Sequence, residues 1–424
     1  MLLTQRFNYF QPQQFQGSAS GAANSPLLGT TQKWQIDRTW PIEEILLHVN
    51  FTVNTGGLTL ATSPTSPDAY DNVLTLLQHI NLSTNDGRQP RSVVDCNGVA
   101  LLEYATLTSL NLDLGTQTVI AYSTGATLPA GNYTLTYRVP MVEPWIGEPL
   151  RTRMYLPVHL YPQDPVLTLS FQQGSQMYSA GNINYVGVEV ELLRRQPTIQ
   201  SEAFLRADAQ KRGLTNPSGY IDFDLIETPF SIAPGIGTEQ RFPIPIPGEY
   251  ANLMFRHYQG GAAVTRKEID NGATGSSFGN ENRWRLETGS VVQREWKWKQ
   301  LRNICEMSKP VQQLISPSVF VAASSGGAVT TALAQPLAGI VGGGIPSGQG
   351  FRYANSTMLN FLTDGISGDN ATELGSLLDC NTPANTGLKM EIIGTPASVA
   401  TNASYLYVMG RRYFGNLAGW SAFA

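Results

Sequence analysis

The sequence predicts an all-β protein that contains two similar β-sandwiches in tandem. The 424 residues include 41 Gly and 26 Pro, which suits many short strands joined by turns. Charged residues make up only 14% of the chain, against about 25% in typical soluble domains. A strand pattern near the end of each half runs into two adjacent arginines, Arg194–Arg195 and Arg411–Arg412. This internal period of roughly 220 residues favours a duplicated module that tiles a surface over a single-domain enzyme.

Alternating apolar and polar residues indicate the strands of the first half. Residues 45–53 read as a strand that is buried on both faces at its start and alternates afterwards. Residues 131–139 alternate most regularly, and one face carries Tyr133, Leu135, Tyr137 and Val139. Two further strands are predicted at 166–171 and 185–193. Residues 94–110 fit a short helix followed by a turn.

The second half repeats the order of the first. Gln240–Ile244 resembles Gln32–Ile36, and each is followed by a proline and an apolar strand, here residues 250–258. The last strands, 388–393 and 405–413, match 166–171 and 185–195. With about eight strands in each half, the pattern predicts two tandem eight-stranded jelly rolls with short helices in the loops.

These patterns predict four segments. They are an N-terminal arm at 1–32, a first jelly roll at 33–195, a linker at 196–218 and a second jelly roll at 219–424. Regular structure is expected to start at Lys33. Within the linker, Ser201–Gly213 has a suitable N-cap and a terminal glycine, so a short helix is predicted there.

The predicted arm is rich in Gln, Ser, Asn and Gly, and Arg6 is its one charged residue. It also carries four aromatic residues, Phe7, Tyr9, Phe10 and Phe15. One interpretation is a disordered terminus. The other is an arm that orders against a neighbouring subunit or a membrane face, which explains the aromatic residues better.

Residues 311–351 contain no Asp, Glu, Lys or Arg and are rich in glycine. Packing against other subunits would explain the lack of charge, and a flexible surface loop is the alternative. Neither this segment nor any other forms an apolar run of about 20 residues, so no membrane-spanning segment is expected. The first residues do not resemble a secretory signal.

The charge and cysteine content exclude several classes of function. The net charge of −4 argues against coating nucleic acid, which needs a basic stripe, although it is equally compatible with simple solubility. Cys96, Cys305 and Cys380 are too few and too far apart for a disulfide framework or a zinc site. They are expected to be buried thiols of a protein made in a reducing compartment.

Candidate catalytic residues are weak in this sequence. Residues 275–279 match the nucleophile-elbow pattern but lie in loop composition, without the strand and helix that the elbow needs. The histidines have no metal-binding spacing; they are His48, His79, His159 and His257. His48 and His257 occupy similar places in strands and are expected to pack or hydrogen-bond. We therefore expect neither catalysis nor a cofactor.

Two binding signals remain open. Asp364, Asp369 and Glu373 lie on a glycine-containing loop and are a weak calcium candidate, with ordinary turn chemistry as the alternative. Trp296 and Trp298 alternate with lysines and read either as a base-stacking platform or as the buried face of a strand. The negative net charge favours the buried strand.

Several segments together resemble the double jelly-roll major capsid proteins of tailless icosahedral viruses with an internal membrane. This is the tectivirus-like lineage, which includes bacteriophages and the adenovirus hexon. The resemblance lies in residues 403–414, in the strand-proline segment 131–140, in the opening strands 33–53 and in the polar arm. It extends over residues 33–424 in order and spacing.

The resemblance implies a structural virion protein made in the host cytoplasm. Such proteins form homotrimers whose six jelly rolls give a pseudo-hexagonal outline, and they tile a shell around a membrane and a DNA genome. The implied partners are other copies, neighbouring capsomers, minor capsid and penton proteins, and the membrane through the N-terminal arm. Sequence-specific nucleic-acid binding is not expected.

Two alternatives belong to other classes. A two-sandwich receptor- or carbohydrate-binding spike would need an exposed aromatic platform in one half. A jelly-roll enzyme of the cupin type would need clustered His and Glu on facing strands, and the sequence has no His pair.

Overall fold

A computed structural model of the chain describes most of the first half and the principal strands of the second. The described residues are 5–18, 23–61, 66–67, 71–85, 90–108, 119–120, 127–143, 150–213, 216–232, 240–243, 248–259, 265–266, 283–288, 291–297, 300, 319–320, 356–361, 378–379, 388–393 and 404–414.

The chain divides into two compact units, each assembled from separate stretches of sequence. The first unit comprises Met1–Glu143, Tyr155–Ser201 and Val311–Arg352. The second comprises Pro144–Met154, Glu202–Pro310 and Tyr353–Ala424.

Twelve strands in the first half belong to the first unit. They are β1 (Gln5–Ser18), β2 (Thr31–Gln35), β3 (Ile42–Val53), β4 (Leu58–Leu60), β5 (Leu77–Asn85), β6 (Pro90–Cys96), β7 (Val119–Ile120), β8 (Thr127–Leu128), β9 (Gly131–Pro140), β10 (Val166–Phe171), β11 (Tyr178–Ala180) and β12 (Ile183–Gln196).

Two antiparallel sheets carry the eight principal strands of this unit. One has the order β1-β12-β3-β9, and the other has the order β6-β5-β10-β2. The chain passes from one sheet to the other after β1, β2, β3, β6, β9 and β10. That alternation between two antiparallel sheets is the jelly-roll topology. The short strands β11, β4 and β8 form a small additional sheet.

The core of the first roll contains residues from both sheets. From Ile45 onward alternate residues of β3 are buried, including Leu47 and Val49, and so are Leu167 and Leu169 of β10. This period of two is what a strand with one buried face requires.

A buried hydrogen bond also ties β9 of the first roll to the 3₁₀ turn that precedes β5. The Tyr137 hydroxyl of β9 donates to the Leu74 carbonyl oxygen, just before β5, at 2.9 Å. Because both groups are buried, the bond satisfies polar atoms that would otherwise be costly inside the roll.

Eleven strands follow in the second half. They are β13 (Asp222–Ile232), β14 (Gln240–Pro243), β15 (Glu249–Gln259), β16 (Thr265–Arg266), β17 (Arg283–Thr288), β18 (Val291–Lys297), β19 (Val319–Phe320), β20 (Ser356–Asn360), β21 (Leu378–Asp379), β22 (Leu388–Ile393) and β23 (Ser404–Phe414). All belong to the second unit except β19, which lies in the first unit and pairs in parallel with β7.

The second unit repeats the arrangement of the first strand by strand. Its first sheet has the order β13-β23-β15-β20, as β1-β12-β3-β9 does. Its second sheet has the order β14-β22-β17-β18, as β2-β10-β5-β6 does. The prediction of two tandem eight-stranded jelly rolls is therefore confirmed, and the strands that end in paired arginines, β12 and β23, occupy equivalent places.

Short helices lie between the strands. They are α1 (Gly98–Leu107), α2 (Leu150–Arg153), α3 (Gly174–Met177) and α4 (Ile199–Arg212), with 3₁₀ turns at Asn72–Thr75 and Val158–Leu160. Helix α1 begins at a glycine because an added Cβ would lie 2.4 Å from the Leu77 carbonyl oxygen and 2.8 Å from the Tyr137 ring. None of the helices within the described ranges combines the length and apolar character needed to cross a bilayer.

Helix α4 confirms the helix predicted in the linker and corrects its start. The Thr198 hydroxyl accepts a hydrogen bond from the Ser201 backbone N–H at 3.0 Å, and the Ser201 hydroxyl accepts one from the Thr198 N–H at 2.9 Å. This reciprocal pattern makes Thr198 the cap, with Ser201 inside the first turn. Gly213 ends the helix with φ +66°, a backbone conformation that favours glycine.

Three strands differ from what the sequence indicated. Regular structure begins at Gln5 rather than Lys33, because β1 pairs along β12. Strands β6 and β13 were not predicted at all. Most of the uncharged segment 311–351 lies outside the described residues.

Candidate functional site

Several of the sequence candidates fall outside the described part of the chain. These are the possible calcium ligands Asp364, Asp369 and Glu373, and the nucleophile-elbow pattern at 275–279. Among the residues that the structure does describe, no group of three or more His, Cys, Asp or Glu side chains is placed to hold a metal ion.

His48 lies in a cross-strand polar row on the first sheet. Its Nδ1 lies 3.0 Å from the Thr136 hydroxyl and its Nε2 lies 3.2 Å from a Glu191 carboxylate oxygen. The hydrogen-bonding role predicted for His48 is thus confirmed. His257 is buried in β15, the strand equivalent to β3.

The same polar row continues along β3 and β9. The Thr134 hydroxyl donates to the Asn50 side chain at 2.6 Å, and the Thr52 hydroxyl donates to the Asn132 side chain at 2.7 Å. Directly opposed residues of an antiparallel pair lie close enough for such bonds. The row fixes the register of the two strands with neutral groups.

The first arginine pair ties β12 to the segment that passes between the sheets. Arg194 is buried and donates to the Trp40 carbonyl oxygen at 2.8 Å and the Asp37 carbonyl oxygen at 3.0 Å. Arg195 donates to the Glu43 carboxylate at 2.9 Å and lies over the Tyr155 ring at 5.9 Å. The Arg194 guanidinium therefore holds the β2–β3 connection in place, and the Arg195 guanidinium ties β12 to β3.

The second arginine pair occupies the equivalent end of β23. Arg411 is buried, with its guanidinium carbon 5.1 Å from the centre of the Phe223 ring. Arg412 makes a two-pronged ion pair with Asp224 and lies 4.1 Å from the centre of the Phe414 ring. Such paired bonds fix orientation as well as charge. Gly248 leaves room for the arginine, because a Cβ there would lie 2.2 Å from Arg412 Cδ.

In each roll the second arginine of the pair bonds to a carboxylate, but the carboxylate lies on a different side of the strand that carries the arginine. Asp224 is the direct register partner of Arg412 on β13. In the first roll, Arg6 of β1 holds that register position opposite Arg195, and the carboxylate comes instead from Glu43 on β3. The two rolls therefore place an arginine at equivalent positions but draw its carboxylate partner from different strands.

Among the described residues of the second roll, the most enclosed ion pair spans three strands. Arg256 of β15 donates to the Glu227 carboxylate of β13, and their side chains are 2% and 3% exposed. Arg256 also donates to the Tyr258 hydroxyl at 3.0 Å. Its guanidinium lies 4.7 Å from the centre of the Tyr407 ring on β23, the strand between the other two. The ion pair therefore links both neighbours of β23.

Arg153 holds helix α4 through its backbone and a carboxylate. The guanidinium is buried and donates to the carbonyl oxygens of Leu205 at 3.3 Å and Gly219 at 3.0 Å, and to Asp208. The Ile221 N–H in turn donates to the Arg153 carbonyl oxygen at 2.7 Å. Sequence reasoning missed this residue, because its partners lie more than 50 positions away.

The residues predicted to act in an N-terminal arm lie on β1, along the edge of the first sheet. The register pairs Arg6 with Arg195 and Phe7 with Arg194. The remaining pairs are Tyr9 with Leu192, Phe10 with Glu191 and Phe15 with Val188. Their contact with a neighbouring subunit or membrane stays a prediction.

Burial changes the titration of two tyrosines in the first unit. It raises the pKa of the Tyr133 hydroxyl, which donates to the Pro129 carbonyl oxygen at 2.9 Å. It also raises the pKa of Tyr178, which donates to the Asn24 side chain at 2.6 Å. Loss of water disfavours the phenolate in both cases.

The polar and charged contacts described above hold the strands and their connections in fixed positions. The buried arginines face carboxylates, carbonyl oxygens or aromatic rings, so their charges are compensated inside the sheets. The polar groups lock strand register and the connections between sheets. The geometry supports a stiff pair of jelly rolls.

Solved structures share this fold along the whole chain. The major capsid protein of STIV has 14% identity and a TM-score of 0.59, with 99% of this chain and 100% of that one covered. The structure described as the atomic structure of Sulfolobus Turreted Icosahedral Virus has 14% identity and a TM-score of 0.57, with 97% and 92% covered. A chain of the PBCV-1 virus capsid has 11% identity and a TM-score of 0.52, with 97% and 94% covered.

No protein-family model matches the chain, and no curated protein sequence matches it. At these identities the likeness is one of fold. The chain has the double jelly-roll fold found in these viral capsid structures.

Proposed function

We propose that this chain is the major capsid protein of an icosahedral virus and that it acts as a structural protein without catalytic activity. The observation that carries the proposal is the repeated jelly roll. Two rolls with the same eight-strand order fill one chain, which matches the STIV capsid protein from end to end. Because one fold can serve several functions, the assembly state of the protein in solution tests the proposal.

The duplication suggests how such a chain would assemble. Three copies around a three-fold axis would present six similar rolls, hence a nearly hexagonal outline. Closed cyclic symmetry is the usual form of soluble homo-oligomers. A hexagonal outline tiles a flat facet without gaps, so one gene product could cover most of a shell.

The low charge content supports burial against other copies. Only 14% of the residues are charged, and interfaces of permanent assemblies are depleted in charge at their centres. We propose obligate interfaces on the order of several thousand Å² per subunit, the size seen in permanent complexes.

The finer parts of the proposal concern organisation and partners. We propose a linker at 196–218 and a second jelly roll at 219–424. The first jelly roll, proposed at 33–195, is completed by β1 from the segment 1–32. We propose that the segment 1–32 also contacts neighbouring capsomers or an internal membrane. Further proposed partners are minor capsid and penton proteins. We also propose that the virus has a DNA genome and that the protein is made in the host cytoplasm before it enters the virion. We also propose that the loop with Asp364, Asp369 and Glu373 binds calcium. Calcium titration of the protein tests this, and a titration without binding would exclude it.

The decisive experiment measures mass and shape together. Light scattering at micromolar concentration should give three times the chain mass of 46.1 kDa. Negative-stain microscopy of the same sample should show hexagonal outlines with three-fold symmetry. A monomer whose mass does not change with concentration would overturn the proposal. A monomer that also binds one glycan on an array would favour the spike alternative.

A further inference from the structure

A short stretch of the first half of the sequence belongs to the second compact unit. Residues 144–154 lie between β9 and β10 of the first roll, yet they group with the second unit, whose other residues all follow Ser201. The described part of this stretch is α2 with Met154, and we call residues 150–154 the strap. Just after the strap the chain returns to the first unit, where Leu156 and Ile42 exchange two backbone hydrogen bonds of 2.9 Å. The first half therefore contributes an element to the second unit.

The strap places a guanidinium group in a buried polar site of the second unit. The Arg153 side chain is 1% exposed. Its Nη1 donates to the carbonyl oxygens of Leu205 at 3.3 Å and Gly219 at 3.0 Å, and its Nη2 donates to the Asp208 carboxylate. All four residues belong to the second unit. Two carbonyl oxygens and a carboxylate suit the planar fork of donors on a guanidinium better than the point charge of a lysine.

The backbone around the site is shaped for this contact. Gly219 has φ +83°, in the left-handed region, and an added Cβ would clash with the Leu205 carbonyl oxygen. A side chain at this position would therefore displace one of the acceptors. The Ile221 N–H also donates to the Arg153 carbonyl oxygen at 2.7 Å. The main chain of the strap is thus bonded to the residues that lead into β13.

We propose that these acceptors form a guanidinium-binding site of the second unit and that Arg153 is its internal ligand. Leu205 and Asp208 lie on α4, whereas Gly219 and Ile221 lie just before β13. One guanidinium group therefore fixes the linker helix against the start of the second roll. Because the site is buried, removal of the group leaves two carbonyl oxygens and a carboxylate without this donor, which is strongly destabilising.

The alternative is that Arg153 stabilises the first roll, between whose strands it lies in the sequence. The hydrogen bonds described above go to residues of the second unit, which favours the strap. The two possibilities differ in where protection from solvent is lost when the arginine is removed. Because the site lies within one chain, it does not depend on whether copies of the chain assemble into capsids.

Amide hydrogen exchange of the full-length chain locates the effect of Arg153→Ala. Exchange in α4 and β13 should be at least about tenfold faster than in the unsubstituted protein, because one partner of a buried ion pair is lost. Exchange in β10 of the first roll should stay within about twofold. The matched control is Arg206→Ala, which removes an exposed arginine of the same helix and should change neither region. Faster exchange in β10 alone, or equally in both regions, would overturn the proposal.

Chemical rescue identifies the class of ligand. Free guanidinium at about 20 mM lies far below the molar concentrations that denature proteins. Added to Arg153→Ala, it should slow exchange in α4 and β13 about threefold, which corresponds to a dissociation constant of about 10 mM. Sodium chloride at the same concentration should have no such effect, because a sodium ion lacks N–H donors. Equal effects of the two salts would overturn the assignment of a guanidinium site.

Arg153→Lys separates charge from shape. A lysine keeps the positive charge but cannot donate in the fixed fork of a guanidinium. Exchange in α4 and β13 should therefore remain at least about threefold faster than in the unsubstituted protein. Full protection in the lysine variant would show that the site selects any cation, and would overturn the proposed ligand class.

Asp208→Asn is a milder change at the same site and carries the test if Arg153→Ala does not fold. The Asp208 side chain is 17% exposed, so the protein should tolerate the loss of its charge. Exchange in α4 and β13 should still rise about threefold relative to β10, because the charge-assisted bond to Arg153 is weakened. Unchanged exchange in α4 and β13 would mean that this ion pair does not hold the two segments, and would overturn the proposal.

Discussion

The enclosed pair Arg256–Glu227 gives the sharpest test of how the second roll is held together. Glu227→Gln removes the carboxylate while keeping the size of the side chain. The guanidinium then stays 2% exposed, beside the Tyr258 hydroxyl and the Tyr407 ring. Removal of one partner of a buried pair costs about 3–5 kcal/mol. For a domain of this size the loss corresponds to a fall in melting temperature of roughly 6–20 °C.

The double variant separates the ion pair from simple loss of packing. Glu227→Leu with Arg256→Met removes both charges and keeps apolar volume, and such replacements are often neutral. We therefore expect the double variant to be clearly more stable than either Glu227→Leu or Arg256→Met alone. The coupling is measured by urea and thermal unfolding of the purified protein, followed by circular dichroism. Additive losses in the double variant would refute the view that Glu227 and Arg256 act as one buried unit.

An exposed ion pair is the matched control. Arg38 and Asp164 are bonded at 2.7 Å, but their side chains are 41% and 40% exposed. Asp164→Asn should cost less than about 1 kcal/mol, because water screens the pair. A loss as large as that of Glu227→Gln would mean that burial does not set the cost.

Three other predictions concern the first roll. Leu135→Asp puts a carboxylate at a buried position of β9 and should unfold the roll at a cost of about several kcal/mol. Thr134→Asp, on the half-buried face of the same strand, should not unfold it. Normal melting of Leu135→Asp would show that the two faces of β9 are reversed. Deletion of residues 1–18 removes the eleven register pairs of β1 and leaves β12 at the edge of the sheet. Circular dichroism should therefore show a lower melting temperature for the first roll. An unchanged melting temperature would mean that the roll does not need β1. Burial raises the pKa of Tyr133 and Tyr178, so the folded state favours their neutral forms. Their contribution to the free energy of unfolding is fully present below the ordinary tyrosine pKa of 10.0 and should be lost as the pH rises above it. Tyr178→Phe should weaken that alkaline loss in pH-dependent melting, and an identical profile would exclude Tyr178 as a contributor.

Local patterns in the sequence were enough to predict much of the fold. The alternation of residues 131–139 predicted β9 and its buried face because a strand turns successive side chains to opposite sides. The paired arginines revealed the duplication, and a terminal glycine predicted the end of helix α4. These features depend on residues close together in the chain.

Only the tertiary structure revealed β1 as a strand of the first roll. Its glutamine-rich sequence lacks a regular apolar period, and its order comes from backbone pairing with β12, which lies at the far end of the same roll's sequence. The same limit applies to Glu227 with Arg256 and to Arg153 with Asp208, whose partners are 29 and 55 positions apart. Local patterns of residues were sufficient to show which stretches alternate and which repeat. Strand register, which depends on distant backbone hydrogen bonds and on the burial of both partners at once, decided which charges meet.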